Sequence, residues 1–194
     1  MENKTLRDSA AIRWTALLLL ALAMFCAYIF VDILSPIKDL MQSQRGWDSD
    51  AFGTMQGSET FLNVFIFAGI ILDKMGVRFT ALLSGGVMLV GACIKWYAVS
   101  DGFIGSGLET WFTNNLNHIP VFEQLGVSPF YEGMPASAKL AAIGFMLFGC
   151  GTEMAGITVS RGIVKWFKGR EMALAMGSEM ALARLGVATC MIFS

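Results

Sequence analysis

Five stretches of the chain stay apolar for about twenty residues each, enough to cross about 30 Å of hydrocarbon at about 1.5 Å per residue. They predict membrane helices over 14–34, 52–72, 79–99, 140–164 and 172–193. The polar positions fall between them. Residues 35–50 form a polar link with Pro36 as a break. A short charged turn follows the second run, and the loop 100–138 carries Pro120, Pro129 and Pro135. A basic and aromatic turn, 165–171, joins the last two runs. The second run is weak over 56–60 and strongly apolar from Phe61 onward. The first run exceeds the 7–15 residues of a signal-peptide core and no cleavage site closes it, so it reads as a spanning helix.

Lysine and arginine placement sets the expected orientation. The N-terminus and the second and fourth links hold Lys4, Arg7, Arg13, Lys74, Arg78, Arg161, Lys165, Lys168 and Arg170. The opposite side holds Lys38, Arg45, Lys95 and Lys139. Residues 1–13 are therefore expected in the cytoplasm and the loop 100–138 outside it, with a short amphipathic helix near 111–124. The protein is expected to be multi-pass, in the plasma or inner membrane.

Composition narrows the function. Of 194 residues, 55% are hydrophobic and 15% charged, and mean hydropathy is +0.60, far more apolar than a soluble domain with about 25% charged residues. Net charge is −1, which gives no electrostatic footprint for nucleic acid. Cys26, Cys93, Cys150 and Cys190 lie within apolar runs without CxxC spacing and read as packing residues. The single histidine, His118, reads as a loop residue, so no metal site and no cofactor are expected. No nucleophile–base pair and no phosphate-binding loop points to an enzyme.

The charges inside the apolar runs carry the candidate chemistry. Glu153 lies twelve residues before Lys165, about 18 Å along a helix, and Arg184 lies fourteen after Arg170, about 21 Å. On antiparallel neighbours they reach one level near the midplane. An ionisable group there costs roughly 2.5–3.5 kcal/mol on insertion scales and so faces a partner or a wet cavity. A structural ion pair is the plain alternative to a binding site. Glu179, about 140° round the helix from Arg184, reads as a packing or gating contact. Glu59 and Asn63 lie one turn apart on one face, and Asn63 fits either a cavity lining or an interhelical hydrogen bond. Tyr28 fits a cavity or the lipid face, and Asp32 a solvated helix end. Abundant glycines in the third, fourth and fifth runs suit close helix packing.

Gly69-Ile70-Ile71-Leu72-Asp73-Lys74-Met75-Gly76-Val77-Arg78 resembles the G-x-x-x-D-[RK]-x-G-x-[RK] loop between the second and third helices of the major facilitator superfamily. A narrower resemblance, to its lysosomal dipeptide transporter branch, rests on Tyr28-x-x-x-Asp32, Gly149-x-Gly151-x-Glu153, Trp166-Phe167-Lys168-Gly169-Arg170-Glu171 and Ala181-Leu182-Ala183-Arg184-Leu185-Gly186. It covers 14–99 and 139–194. The loop 100–138 is longer than that branch leads one to expect.

The resemblance implies an all-α membrane protein of the major facilitator fold, here the first five of an expected twelve helices and so a truncated N-terminal half. It implies secondary active or facilitative transport of small organic solutes by alternating access. In that branch the residues matching Glu153 and Arg184 bind a zwitterionic peptide, with Tyr28 and Asn63 as further candidates. Gly69, Asp73, Lys74, Gly76 and Arg78, with Arg161, would form the cytoplasmic gating latch. Expected partners are a dipeptide or other zwitterion, the bilayer, and protons carried by Glu153, Glu59 or Glu179. A non-transporting membrane module, or a half-transporter that assembles with a partner, is the competing reading.

Overall fold

In the computed structural model, residues 9–65, 67–116, 130–131 and 133–192 are described, and among them there is helix but no strand. Among the described residues the α-helices are α1 (Ala10–Asp32), α2 (Lys38–Arg45), α3 (Ser49–Gly57), α4 (Phe67–Val99), α5 (Gly107–Asn115), α6 (Ala136–Phe167) and α7 (Met172–Ile192). Among the described residues three helical stretches are long and apolar enough to cross a membrane: Ala10–Arg45, Gly69–Val99 and Ala136–Phe167. With 21 residues, α7 reaches about 31 Å, but Glu179 and Arg184 make it less apolar than those three.

Two expected boundaries are corrected. The polar link 35–50 is mostly helical: a 3-10 turn, Ser35–Ile37, leads into α2, and Asp48 caps α3 by accepting from the Ala51 N–H at 2.7 Å. The expected helix 52–72 is not one α-helix. It passes from α3 into a 3-10 segment, Ser58–Phe65, before α4 begins. Hydroxyls compete for the backbone there: Ser58 Oγ donates to the Met55 and Ala142 carbonyls at 2.6 and 3.0 Å, and Thr60 Oγ1 to the Gly57 carbonyl at 3.2 Å.

The chain divides into two compact units. The first comprises Met1–Pro36, Ala68–Leu82 and Thr152–Ser194. In it α1 and α7 run parallel, since the Phe25 carbonyl lies against Gly186 while the Cys190 thiol donates to the Ile29 carbonyl at 3.1 Å. The inward stripe of α1 is Arg13, Leu17, Ala21, Met24, Ala27 and Val31, and that of α7 is Ala175, Glu179, Ala183, Gly186 and Cys190. Steps of three and four keep each stripe on one face. Leu17, Met24, Val159, Ile163 and Phe167 join Ala175 and Ala183 in the core, and Trp14 meets Phe167 edge to face at 5.5 Å. The outer surface of α1 is Leu18, Leu19 and Leu22, as a helix facing lipid requires.

The two sharp turns of this unit use left-handed backbone. Gly76, at φ 80° and ψ 168°, breaks α4 between two helical arms. Between α6 and α7, Gly169 has φ 77° and Glu171 φ 45°, and the Arg170 N–H closes onto the Phe167 carbonyl at 2.8 Å.

The second unit comprises Ile37–Phe67 and Leu83–Gly151. Here α4 and α6 touch backbone to backbone. A Cβ on Gly91 would lie 2.6 Å from the Gly144 carbonyl oxygen and 2.6 Å from the Phe148 nitrogen, and one on Gly144 2.8 Å from the Lys95 nitrogen. The loop after α4 is tied down rather than merely solvated. Arg45 pairs with Asp101 at 2.6 Å, and the Trp47 indole N–H, on a side chain 1% exposed, donates to Ser137 Oγ at 2.9 Å. Ser106 caps α5 by accepting from the Glu109 N–H, and Glu109 in turn accepts from the Gly105 N–H, a variant of the capping box. This helix overlaps the start of the stretch 111–124 where a short helix is expected; residues 117–124, His118 among them, lie outside the described residues.

Tyr131 donates to Asp48 Oδ1 at 2.5 Å. Its pKa is pushed up to about 12, first by burial and then by this hydrogen bond. The same bond, followed by that from the Ala51 N–H, holds Asp48 below the usual carboxylate value.

Two outcomes are expected. Gly91→Ala should lower stability by about 1–3 kcal/mol through overpacking, whereas Gly85→Ala, with nothing within 4 Å of its would-be Cβ, should not; thermal unfolding in detergent compares them. The Asp48–Tyr131 contact should be lost as pH falls through the depressed Asp48 value and as it rises through about 12. Both follow from linkage: a lowered carboxylate pKa stabilises above its unfolded value, and a raised phenol pKa stabilises below its own. Tyr131→Phe should abolish the alkaline loss and shrink the acidic one in melting temperature against pH.

Candidate solute-binding site

The first unit holds a cavity of about 160 Å³ at the meeting of α1, α6 and α7, lined by Met24, Tyr28, Gly156, Ser160, Glu179 and Arg184 among others. Each helix contributes for a local reason. Met24 and Tyr28 stand four residues apart on α1, and Gly156 and Ser160 four apart on α6, so each pair shares a face. Gly156 leaves room, with the Met24 Cε 3.9 Å from where its Cβ would stand. On α7, Glu179 and Ala183 face inward, and Met180 and Arg184 flank them one position on.

Arg184 extends over Tyr28, its Cζ 5.8 Å from the ring centroid, within cation–π range. Glu179 is only 7% exposed, whereas Arg184 is exposed. A guanidinium, a carboxylate, a hydroxyl and a phenol ring thus converge on one small cavity. The guanidinium offers a planar fork to a carboxylate, and the carboxylate suits an ammonium group.

Of the expected residues, Tyr28 and Arg184 come together here. Glu153 does not join them. It is exposed, no ion pair links it to Arg184 among the described residues, and it does not line the cavity. It lies on the same stripe as Gly156 and Ser160, at steps of three and four. Asn63 lies outside the residues whose side chains are described. Ser160 is not singled out by the sequence, and Glu179 is expected there as a packing or gating contact or a proton carrier; the structure adds that it lines this cavity. Glu179 lies on the buried stripe and Arg184 is exposed beside it, as their helical angle implies, yet both line the cavity, which touches a wide arc of α7. Ser160 carried a signal in its spacing from Glu153.

The expected latch residues gather at the Gly76 turn. Asp73 accepts a short charged hydrogen bond from Arg161 Nη1, which joins α4 to α6. Gly76 supplies the left-handed turn, Lys74 and Arg78 are exposed beside it, and Gly69 is half-buried one turn before Asp73. Asp73, Arg78 and Arg161 line an open hollow of about 730 Å³ together with Lys165 and Lys168. The Asp73 and Arg161 side chains remain 71% and 52% exposed, so the pair contributes at most about 1 kcal/mol to stability.

No known protein family matches the chain, and no solved structure matches it.

Proposed function

We propose that the chain forms part of a secondary active or facilitative transporter of small organic solutes, of the major facilitator type, with a dipeptide or other zwitterion as substrate. The observation that carries this reading is the cavity that brings Arg184, Glu179 and Tyr28 together inside a bundle of membrane-type helices. Deep charges are retained in apolar helices chiefly where they serve a pathway or a ligand. The lack of an ion pair between Glu153 and Arg184 favours binding over mutual neutralisation. In this reading Arg184 holds the substrate carboxylate, Glu153 and Glu179 receive its ammonium group or a proton, and Asn63 adds a neutral contact. The protein sits in the plasma or inner membrane with its N-terminus in the cytoplasm. The pair Asp73–Arg161, with Lys74 and Arg78, works as a latch that biases one of two states.

One observation favours a second reading alongside it. A cavity of about 160 Å³ is smaller than the roughly 300–1,000 Å³ of small-molecule sites, and Glu153 is exposed rather than enclosed. Further helices, from the same polypeptide or a partner, would complete such a site.

Uptake of labelled dipeptides into proteoliposomes carrying the protein, in its longest reading frame, tests the proposal. Arg184→Lys should weaken binding on the order of tenfold, because the charge is kept and the fork is lost. Glu153→Gln should harm peptides with a free amino terminus more than N-acetylated ones. If both variants fold and bind every ligand as wild type does, the substrate assignment falls. Asp73→Asn should slow transport several-fold while leaving binding within about twofold, since a latch shifts populations without touching substrate. A normal maximal rate with greatly weakened binding would remove Asp73 from the latch.

A further inference from the structure

Two hollows of opposite character adjoin at Val77, which lines both. One, of about 330 Å³, is almost wholly apolar, formed by Leu17, Leu20, Ile163, Trp166 and Phe167, with Arg13 at its wall. The other is the open hollow lined by Asp73, Arg78, Arg161, Lys165 and Lys168. Arg161 is matched by Asp73, which leaves Arg78, Lys165 and Lys168 without a carboxylate partner among the described residues. An apolar slot beside a basic, water-accessible hollow has the shape and charge of an amphiphile with an anionic head.

The surroundings place these hollows at the edge of a bilayer. Leu18 and Leu19 of α1 are exposed apolar residues, as expected of a helix that faces acyl chains. Trp14 and Trp166 lie at the same end of the bundle as the basic turn, where tryptophan is enriched at membrane–water interfaces. Arg13 is 5% exposed, and its guanidinium carbon lies 5.8 Å from the Phe167 ring centroid. Its guanidinium thus packs over an aromatic face at the wall of the apolar hollow.

We propose that these joined hollows bind one anionic phospholipid, its phosphate among Arg78, Lys165 and Lys168 and one acyl chain in the slot formed by Leu17, Leu20, Ile163 and Trp166. A soluble phosphate ester could use the basic hollow but would leave the slot empty; the continuity of the two through Val77 favours the lipid. The site is separate from the cavity at Arg184 and does not depend on any solute being transported.

Native mass spectrometry of the intact protein with phosphatidylglycerol and phosphatidylcholine of the same acyl chains tests this. Phosphatidylglycerol should bind on the order of tenfold tighter, and raising salt from about 0.05 to about 0.5 M should reduce that preference. Lys165→Gln with Lys168→Gln should bring the two lipids level, and arginine at both positions should restore the difference. Gly162→Leu, at a position where a Cβ meets only Leu20 Cδ1 at 3.8 Å, should fill the slot and weaken both lipids alike. Glycerol phosphate should not displace the lipid. Equal binding of the two lipids to the wild type, a preference that survives both glutamines, or displacement by glycerol phosphate would each overturn the proposal. The wild-type comparison and the salt arm need no variant to fold.

Discussion

A charge on an apolar helix must meet protein or water, and this requirement organises the packing of α7. Glu179 lies on the inward stripe with Ala175, Ala183, Gly186 and Cys190, so the helix turns its carboxylate toward α1 and α6 rather than toward lipid. The other stripe positions are small. They allow the Phe25 carbonyl to meet the Gly186 backbone and the Cys190 thiol to reach Ile29. The parallel packing of α1 on α7 and the polarity of the cavity therefore share one cause. A larger residue at 186 would separate the helices and wet Glu179 from the wrong side.

Close backbone approach solves a second problem in the other unit. Among apolar helices in lipid there is little hydrophobic gain from contact, so van der Waals packing must hold them. The Gly91 and Gly144 contact does this by removing side chains from the seam. Ser58 adds a hydrogen bond from a 3-10 segment to the Ala142 carbonyl. That bond also marks where regular α-helix gives way, since the hydroxyl also competes for the Met55 carbonyl inside its own turn.

Much of this was legible in the sequence, and the rest failed for definable reasons. The runs at 140–164 and 172–193 mark α6 and α7 to within four residues at each end, because long apolar runs bounded by charge leave few other choices. The link 35–50 hid α2, whose eight residues, Lys38–Arg45, are mostly polar and give no apolar run. The break in 52–72 is visible only as weakness over 56–60. There the Ser58 and Thr60 hydroxyls donate to the local Met55 and Gly57 carbonyls, and Ser58 also to the Ala142 carbonyl of a distant helix. For the site, the Asp73–Arg161 pair could be foreseen from its place in a short charged turn. The buried position of Glu179 could be foreseen as a packing or gating contact, but not its sharing a cavity with Arg184, because the angle between two residues on one helix says nothing of how wide a cavity its neighbours enclose. Depth along the helix put Glu153 and Arg184 level, but depth does not fix rotation, and rotation leaves Glu153 exposed.

The charges of the first unit fall into two layers that suit different work. Those at the turns, Asp73, Arg78, Arg161, Lys165 and Lys168, are exposed or open to water. Their interactions are screened and worth at most about 1 kcal/mol each, so they can exchange partners at little cost. Those deeper along α7 stand about 10 Å and 18 Å from its start at Met172, for Glu179 and Arg184 respectively. Were α7 to lie in hydrocarbon, leaving either unmatched there would cost several times more. A deep pair thus demands a ligand, a proton or a fixed neighbour, and discriminates strongly among them. A shallow cluster cannot discriminate in that way, yet it can be re-paired by a small helix movement or by a lipid headgroup. The two layers therefore differ in how strongly their surroundings hold each charge, because the dielectric differs between the two depths.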